Sequence, residues 1–538
     1  MSNQAKKQSF LGGAAVLASA VAIVKLIGAF YKLPLNNILG DVGKTYFNTA
    51  YEIYSVLLTL STAGLPLAIS KLTSQAQAQG RENEKRKILR VSLGLFFVIG
   101  LAGSVFMFTC AAQLAEFQNN KSAFLPIRVL APAVFCVCLL ACIRGYTQGQ
   151  GNMTPTAASQ VLEALCKLGL GLPLAWYVLR VLGKDLEVGA AGAIFGVTAG
   201  TVFSLLFLIV YLLRHRSTAA SLDRPSSSAA LVTAILAIGI PITLSGSAMS
   251  IITVVDTKII LGQLQAGLGL TEEAAAALKG QYSWAMDMVN MVASFVYPVT
   301  TSLIPYAAAA LTRKDYASAE RTIETGFRLL ALLALPAGIG LSVLSTPIMR
   351  LVLPAQREAA WHAGPHLQVL GIACIFICIM ILTNAILQTY GKEKLPIFTV
   401  IAGGIVKVVM NYFLVGDPEI NIHGAKYSTL CCYGVIVALN LFFVWKYSPR
   451  KPRYVAIFAK PLAASLAMGL CAKAVYGLVG GALKASTSFG GNALATLIAI
   501  AAAVIVYAAL VIVLRILRAE DVEGIPHGKK IAKILHLK

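Results

Sequence analysis

About fourteen runs of roughly 20 apolar residues follow one another along this chain, each long enough to cross the roughly 30 Å of hydrocarbon in a bilayer. They centre near residues 22, 60, 101, 136, 169, 201, 247, 293, 336, 378, 405, 435, 470 and 504. Backbone polar groups in lipid must be satisfied within the segment, so the expected fold is an all-α polytopic membrane protein. No connection exceeds about 20 residues, which leaves no room for a folded catalytic domain outside the membrane. Of the 538 residues, 57% are hydrophobic and 13% charged. Soluble domains carry roughly a quarter charged residues, and the shortfall excludes a secreted disulfide scaffold, a disordered chain and an ordinary cytosolic enzyme.

The 45 Lys and Arg against 23 Asp and Glu give a formal charge of +22. When alternate connections are assigned to opposite sides, one side receives Lys6 and Lys7, the 71–90 segment, Arg144, Arg214, Arg216 and Arg224. It also receives Arg313, Lys314, Arg321, Lys392, Lys394, the 446–460 stretch and the tail from Arg515. That side holds about 28 of the basic residues and the other about 10, which makes the first side cytoplasmic, with both termini inside. The basic excess is therefore a topology signal set against anionic lipid headgroups, not a nucleic-acid surface. Ala18-Ser19-Ala20 after Lys6 and Lys7 imitates a signal peptide, but the apolar run continues to about Leu35 and reads as a retained first helix.

Two stretches look alike at an offset near 240. Gly64-Leu65-Pro66 through Leu72-Thr73 leads to Leu89-Arg90, and Leu303-Ile304-Pro305 through Leu311-Thr312 leads to Phe327-Arg328. Gly151, Pro155 and Lys167 are echoed by Gly391, Pro396 and Lys407. An offset of about six helices, an even number, gives parallel repeats about an axis along the membrane normal, and alternating access by rocking of the halves. The expected divisions are 1–218 (spans 1–6), 219–450 (spans 7–12), 451–518 (spans 13 and 14) and a basic tail 519–538. Gly189, Gly192, Gly196 and Gly200 form a small-residue stripe suited to close helix approach.

Ionisable side chains inside lipid are costly and need a reason. Lys25 lies deep in the first span and Lys32 follows two helical turns on, so the pair is a candidate track for an anion. Lys258 is a second-half candidate for substrate contact and Arg128 a further cation. Asp256, Glu52 and Asp287 are candidates for ion coupling or for structural ion pairs. Asn290, on a span with Trp284 and Tyr297, is a candidate sugar contact with packing as the competing role. Lys167 and Lys407, at equivalent repeat positions, favour a shared architectural role. The ten cysteines sit in apolar runs without metal spacing and read as small hydrophobes. His362 and His366 are separated by Gly364-Pro365, which spoils a helical metal face. No metal is expected. No nucleotide-binding, dinucleotide, zincin or nucleophile-elbow motif occurs, so neither a cofactor nor direct use of ATP is expected.

The runs KLPLNNILGDVGKTYFNTAYEIYSVLLTLSTAGLPLAISKL and RGYTQGQGNMTPTAASQVLE resemble the polysaccharide-transport branch of the MOP flippase superfamily, and more narrowly stage V sporulation protein B / YtgP-type proteins, relatives of MurJ-type lipid II flippases. The resemblance covers essentially the whole chain and implies a MOP/MATE-like fold in a bacterial cytoplasmic membrane. It implies a flippase for an undecaprenyl-diphosphate-linked saccharide, lipid II first, with a cationic cavity for the diphosphate and a groove along the last two helices for the lipid tail. Lys25 and Gly28 match family positions in the first span, and Lys32 falls within one residue of a second basic position. The second span departs from the family, with Glu52, Leu58 and Thr59 where arginines are usual.

Competing readings are an exporter of another lipid-linked saccharide for teichoic acid, capsule or exopolysaccharide, a multidrug/cation antiporter, a membrane glycosyltransferase or ligase, and a scaffold for wall synthesis. The basic first span argues against cationic drugs, and the short outward loops argue against an enzyme. A monovalent counter-ion is the expected coupling partner and a monomer the expected state.

Overall fold

The computed structural model describes residues 10–62, 64–215, 221–296, 300, 307, 310–311, 313–448 and 451–516. Lys6, Lys7, Arg216, Tyr297, Leu303-Ile304-Pro305, Thr312, Arg518 and the tail 519–538 lie outside the described residues. The described residues form two compact units, divided between Gly280 and Gln281. No strand occurs among them.

The first unit holds α1 (Phe10–Thr62), α2 (Leu65–Ala78), α3 (Glu82–Thr109), α4 (Ala111–Phe117), α5 (Phe124–Gly149), α6 (Thr154–Cys166), α7 (Leu172–Arg180), α8 (Leu186–Arg214) and α9 (Ser228–Gly262). α10 (Glu272–Ser294) crosses the division. The second unit continues with α11 (Tyr316–Val343), α12 (Ser345–Val352), α13 (Arg357–Thr389), α14 (Lys394–Val415), α15 (His423–Tyr447), α16 (Tyr454–Ala482) and α17 (Phe489–Val513).

Twelve stretches among the described residues are long and apolar enough to cross a membrane, against the fourteen spans expected. The centres near residues 22 and 60 share one stretch, Ser19–Ala78, which is 60 residues long. Within it Gly40 adopts φ 68° and ψ −171°, a conformation open to glycine and not to an L side chain without strain. This residue breaks α1 into two segments that rise about 45 and 33 Å at 1.5 Å per residue, each enough for a crossing. The centre near residue 293 falls in α10, outside the twelve, and residues soon after it lie outside those described.

In the first unit α5 is central. Of its most apolar window 72% is buried, against 22% for that of α3, whose Phe97, Val98, Val105 and Phe106 are exposed. α5 packs on α1, α2, α3 and α8, around a core including Tyr31, Leu35, Ile127, Leu130 and Ile194. In the second unit α13 takes the same place, 67% buried, between α11 and α15, while the α16–α17 pair attaches through α11 and α12.

The offset of 240 recurs as local geometry. Gly151 and Gly391 both have left-handed φ, 78° and 69°. Their N–H groups donate to Gln148 O and Gln388 O, each at 2.9 Å. The Ser159 hydroxyl donates to Thr156 O (2.8 Å) and the Thr399 hydroxyl to Pro396 O (3.0 Å).

The segment joining α8 to α9 is tied to the start of α3. The Asp223 carboxylate accepts from the Asn83 and Glu84 N–H groups at 3.0 and 2.9 Å, satisfying orphan donors of that helix end. Arg81 donates to Arg224 O at 3.0 Å, and the Ser226 N–H donates to Glu84 at 2.6 Å. In the second unit Asp315 caps α11, accepting from the Ser318 N–H at 3.0 Å. The Ser318 hydroxyl and N–H hold that exposed carboxyl below the ordinary carboxylate range.

Candidate substrate site

The glycine stripe of α8 positions the most distinctive element of the first unit. A Cβ on Gly196 would stand 2.4 Å from the Gly171 Cα, and one on Gly200 would stand 2.9 Å from Glu163 O. Bare backbone therefore lets α8 close on the α6–α7 segment. Between α6 and α7 the chain makes one π turn, Lys167–Gly171. Pro173 explains it in part: with no N–H it cannot donate back to the carbonyl four residues earlier, and wider turns inside helices absorb such a fault. π turns recur at functional sites, and this one begins with a lysine.

The Lys167 ammonium lies 4.9 Å from the Tyr31 ring centroid and 4.7 Å from that of Tyr51. Tyr51 stacks on Phe47 at 5.9 Å and 9°, and Tyr31 lies 6.5 Å from the same ring. Lys44 adds a second ammonium 5.7 Å from Phe47. Each such contact contributes about 0.5–2 kcal/mol, more when desolvated. Half-buried Lys32 adjoins fully buried Tyr31, and half-buried Glu52 adjoins Tyr51. One turn before Lys167, Glu163 pairs with Arg144 at 3.2 Å, while Arg144 Nε donates to the Ser159 hydroxyl at 2.9 Å. Arg144, counted above with the cytoplasmic charges, lies inside α5, which runs on to Gly149.

The other first-unit candidates are spread out. Lys25 is exposed on α1, unlike half-buried Lys32. The Arg128 guanidinium is 4.4 Å from the Phe108 ring and 5.7 Å from Phe124, so its partners are on α3 and α5 and not in the Lys167 cluster. The Lys258 ammonium is 3.7 Å from the Phe117 ring, and its carbonyl accepts from Asn119 at 3.2 Å. Asp256, two residues earlier, is buried. In the second unit Asp287 is buried on α10 and Asn290 is exposed. Trp284 is fully buried. Among the described residues no group of three His, Cys, Asp or Glu could hold a metal.

The Lys167–tyrosine grouping was not legible in the sequence. Tyr31 and Tyr51 stand on either side of the Gly40 break, so no helical spacing links them. The available signal was the run Lys167-Leu168-Gly169-Leu170-Gly171-Leu172-Pro173, too rich in breakers for an even helix.

The protein-family profile described as "Polysaccharide biosynthesis protein" matches residues 10–310, and a second profile, MatE, matches residues 271–413. The chain is 25% identical over 527 residues to stage V sporulation protein B of Bacillus subtilis (strain 168), covering 97% of this chain and 98% of that protein. It is 23% identical over 447 residues to the lipid II flippase MurJ of the same organism, covering 79% and 82%. A solved structure of lipid II flippase MurJ in an inward closed conformation superposes with a TM-score of 0.70 at 14% identity, covering 93% of this chain and 98% of that one. That likeness fixes the fold as the all-helical one of that solved structure. These relatives are named for sporulation and for flipping, and the twelve apolar stretches among the described residues make this chain a multi-pass membrane protein like them. Because the first profile spans more than half of the sequence, the chain belongs to the polysaccharide biosynthesis protein family.

Proposed function

We propose that this protein is a flippase that carries an undecaprenyl-diphosphate-linked saccharide, with lipid II first among substrates, from the inner to the outer leaflet by alternating access. The observation that carries the reading is the Lys167 ammonium set against the Tyr31 and Tyr51 rings on membrane-spanning helices, with Lys32 beside Tyr31. A diphosphate cannot cross hydrocarbon unaided, and fixed cations among aromatic faces are the chemistry that replaces its water. On this reading Lys25 and Lys32 form the entry to the track, Arg128, Lys258 and Asn290 add headgroup contacts, and Glu52, Asp256 and Asp287 handle a monovalent counter-ion. The lobes are 1–218 and 219–450, spans 13 and 14 (451–518) border the lipid tail, and both termini are cytoplasmic. The protein works as a monomer in the bacterial cytoplasmic membrane, with its basic loops against anionic lipids. Moving negative charge outward across an inside-negative membrane is downhill and releases about 2.3 kcal/mol per charge per 100 mV, enough to bias transport without ATP.

The relatives named for sporulation and for lipid II support this substrate class. The MatE profile over residues 271–413 favours a second reading, a cation antiporter, which the cationic cluster of the first unit opposes. The deciding experiment is complementation of cells depleted of their lipid II flippase, scored by lipid II accessible at the outer leaflet. Wild type, Lys25→Ala and Lys167→Gln are run at equal membrane expression. Rescue by wild type and loss in Lys167→Gln are expected. No rescue by well-expressed wild type moves the substrate to another lipid-linked saccharide. Unchanged transport after collapse of the potential and ion gradients overturns the proposed driving force.

A further inference from the structure

No Asp or Glu occurs between Glu419 and Glu520. Inside that stretch Lys446, Lys451, Arg453 and Lys460 lie around the junction where α15 ends and α16 begins, and Arg453 and Lys460 line a pocket of about 710 Å³ there. Its walls include Trp445, Arg453, Tyr454, Val455, Ala459 and Lys460. None of the four cations meets a carboxylate among the described residues. Lys451 donates to Trp445 O at 2.7 Å and to Lys446 O at 3.2 Å, and its ammonium lies 4.6 Å from the Trp445 ring. Lys460 donates to Leu514 O at 3.2 Å, and Lys446 lies 5.6 Å from the Tyr447 ring. The exposed Arg453 side chain makes no hydrogen bond or ion pair among the described residues.

We infer that this pocket binds the headgroup of an anionic phospholipid. The counter-charge the chain omits over this stretch must come from outside it, and at the end of two spans the surrounding source is the leaflet. Trp445 and Tyr447 sit where aromatic residues anchor to the headgroup layer. Tyr454 fixes the junction by donating to Leu441 O at 3.0 Å. Exposed Val455 and Ala459 give an apolar wall on which an acyl chain starts, which a soluble phosphate would not use. The inference does not rest on the transported substrate, since it concerns the surface of the second unit alone.

Each cation near an anionic surface contributes roughly a fivefold gain in binding, so removing two lowers retention by on the order of tenfold or more. The test is native mass spectrometry of the full chain released from nanodiscs containing phosphatidylglycerol and phosphatidylcholine with matched acyl chains. Wild type is expected to retain phosphatidylglycerol at least tenfold over phosphatidylcholine. Arg453→Gln with Lys460→Gln loses that preference, while Arg453→Lys with Lys460→Arg keeps it. Arg453→Gln alone, at an exposed side chain without partners, shows a partial loss in a protein of unchanged thermal stability. Equal retention of the two lipids by wild type, or full retention by both glutamine variants, overturns the inference. Displacement of the lipid by millimolar pyrophosphate, or by undecaprenyl diphosphate in preference to phosphatidylglycerol, also overturns it, assigning the pocket to a soluble phosphate or to the carrier.

Discussion

The segments near residues 144–171 and 384–411 are copies at an offset of 240, yet they differ in what they bury. In the first, Arg144 reaches the Ser159 hydroxyl and pairs with Glu163, and the helix opens into a π turn at Lys167. In the second, Asn384 stands at the position of Arg144 and Thr399 at that of Ser159. Asn440 donates to Asn384 (2.8 Å) and Thr383 (3.1 Å) and accepts from Thr399 (2.8 Å), a neutral network that joins α13, α15 and the unbroken helix α14. The close approach has changed sides as well. Gly196 faces Gly171 in the first copy, whereas in the second Ile436 holds the matching position and the glycine is Gly403, whose added Cβ would stand 2.4 Å from Ile436 Cγ1. One duplicated frame thus carries the Arg144–Glu163 ion pair and a helix irregularity in one copy, and a neutral network with an even helix in the other, while half-buried Lys407 still stands at the position of Lys167.

The largest effect expected is at the ion pair. Removing one partner of a buried pair costs about 3–5 kcal/mol, and the partial exposure of both side chains here, 15% and 29%, reduces this to about 2–3 kcal/mol. Thermal unfolding in detergent should show Arg144→Met well below wild type, with Arg144→Met/Glu163→Leu recovering part of the loss. Equal stability of the single variant would make the two copies energetically alike. Next comes Gly196→Ala, where overpacking against Gly171 costs about 2 kcal/mol. Gly169→Ala, with open space around its Cβ, is the control and should be neutral or slightly stabilising, since Ala is the better helix former.

Lys167→Gln should lower transport on the order of tenfold, about 1.4 kcal/mol, while Lys407→Gln leaves it near wild type. Equal losses at both positions would return both lysines to the shared architectural role their equivalence suggests. The smallest effect is Thr399→Val, about 0.6 kcal/mol for the one interhelical hydrogen bond it donates to Asn440. Calorimetry that places it at the level of Arg144→Met would erase the contrast between the ion pair of one copy and the neutral network of the other.

Much of the frame was legible in the sequence because its signals are local. Gly151 and Gly391 mark a left-handed turn, Pro155 and Pro396 mark the helix start after it, and hydropathy marks the spans. The lipid-facing helices and the glycine stripe follow from the same short-range rules. The site was less legible because its contacts are long-range. Arg144 and Glu163 are 19 residues apart on different helices, so Arg144 reads from sequence as one more basic residue near a helix end. Lys167 meets two tyrosines from opposite sides of the Gly40 break. Lys25 and Lys32 do share a helix as the spacing requires, but spacing alone does not say that one is exposed and the other half-buried.

The grouping of α9 with the first unit bears on the order in which the protein is made. α9 opens the second repeat in sequence, yet it is held by the Asp223 clasp at one end and by Thr243 Oγ1, which accepts from the Gly64 N–H at 3.1 Å, further along. Everything this unit needs has left the ribosome once Gly280 emerges. At about 10 residues per second, roughly half a minute of synthesis then remains. The later helices are therefore delivered to a finished bundle, and a nascent chain arrested shortly after Gly280 should already resist protease as a unit.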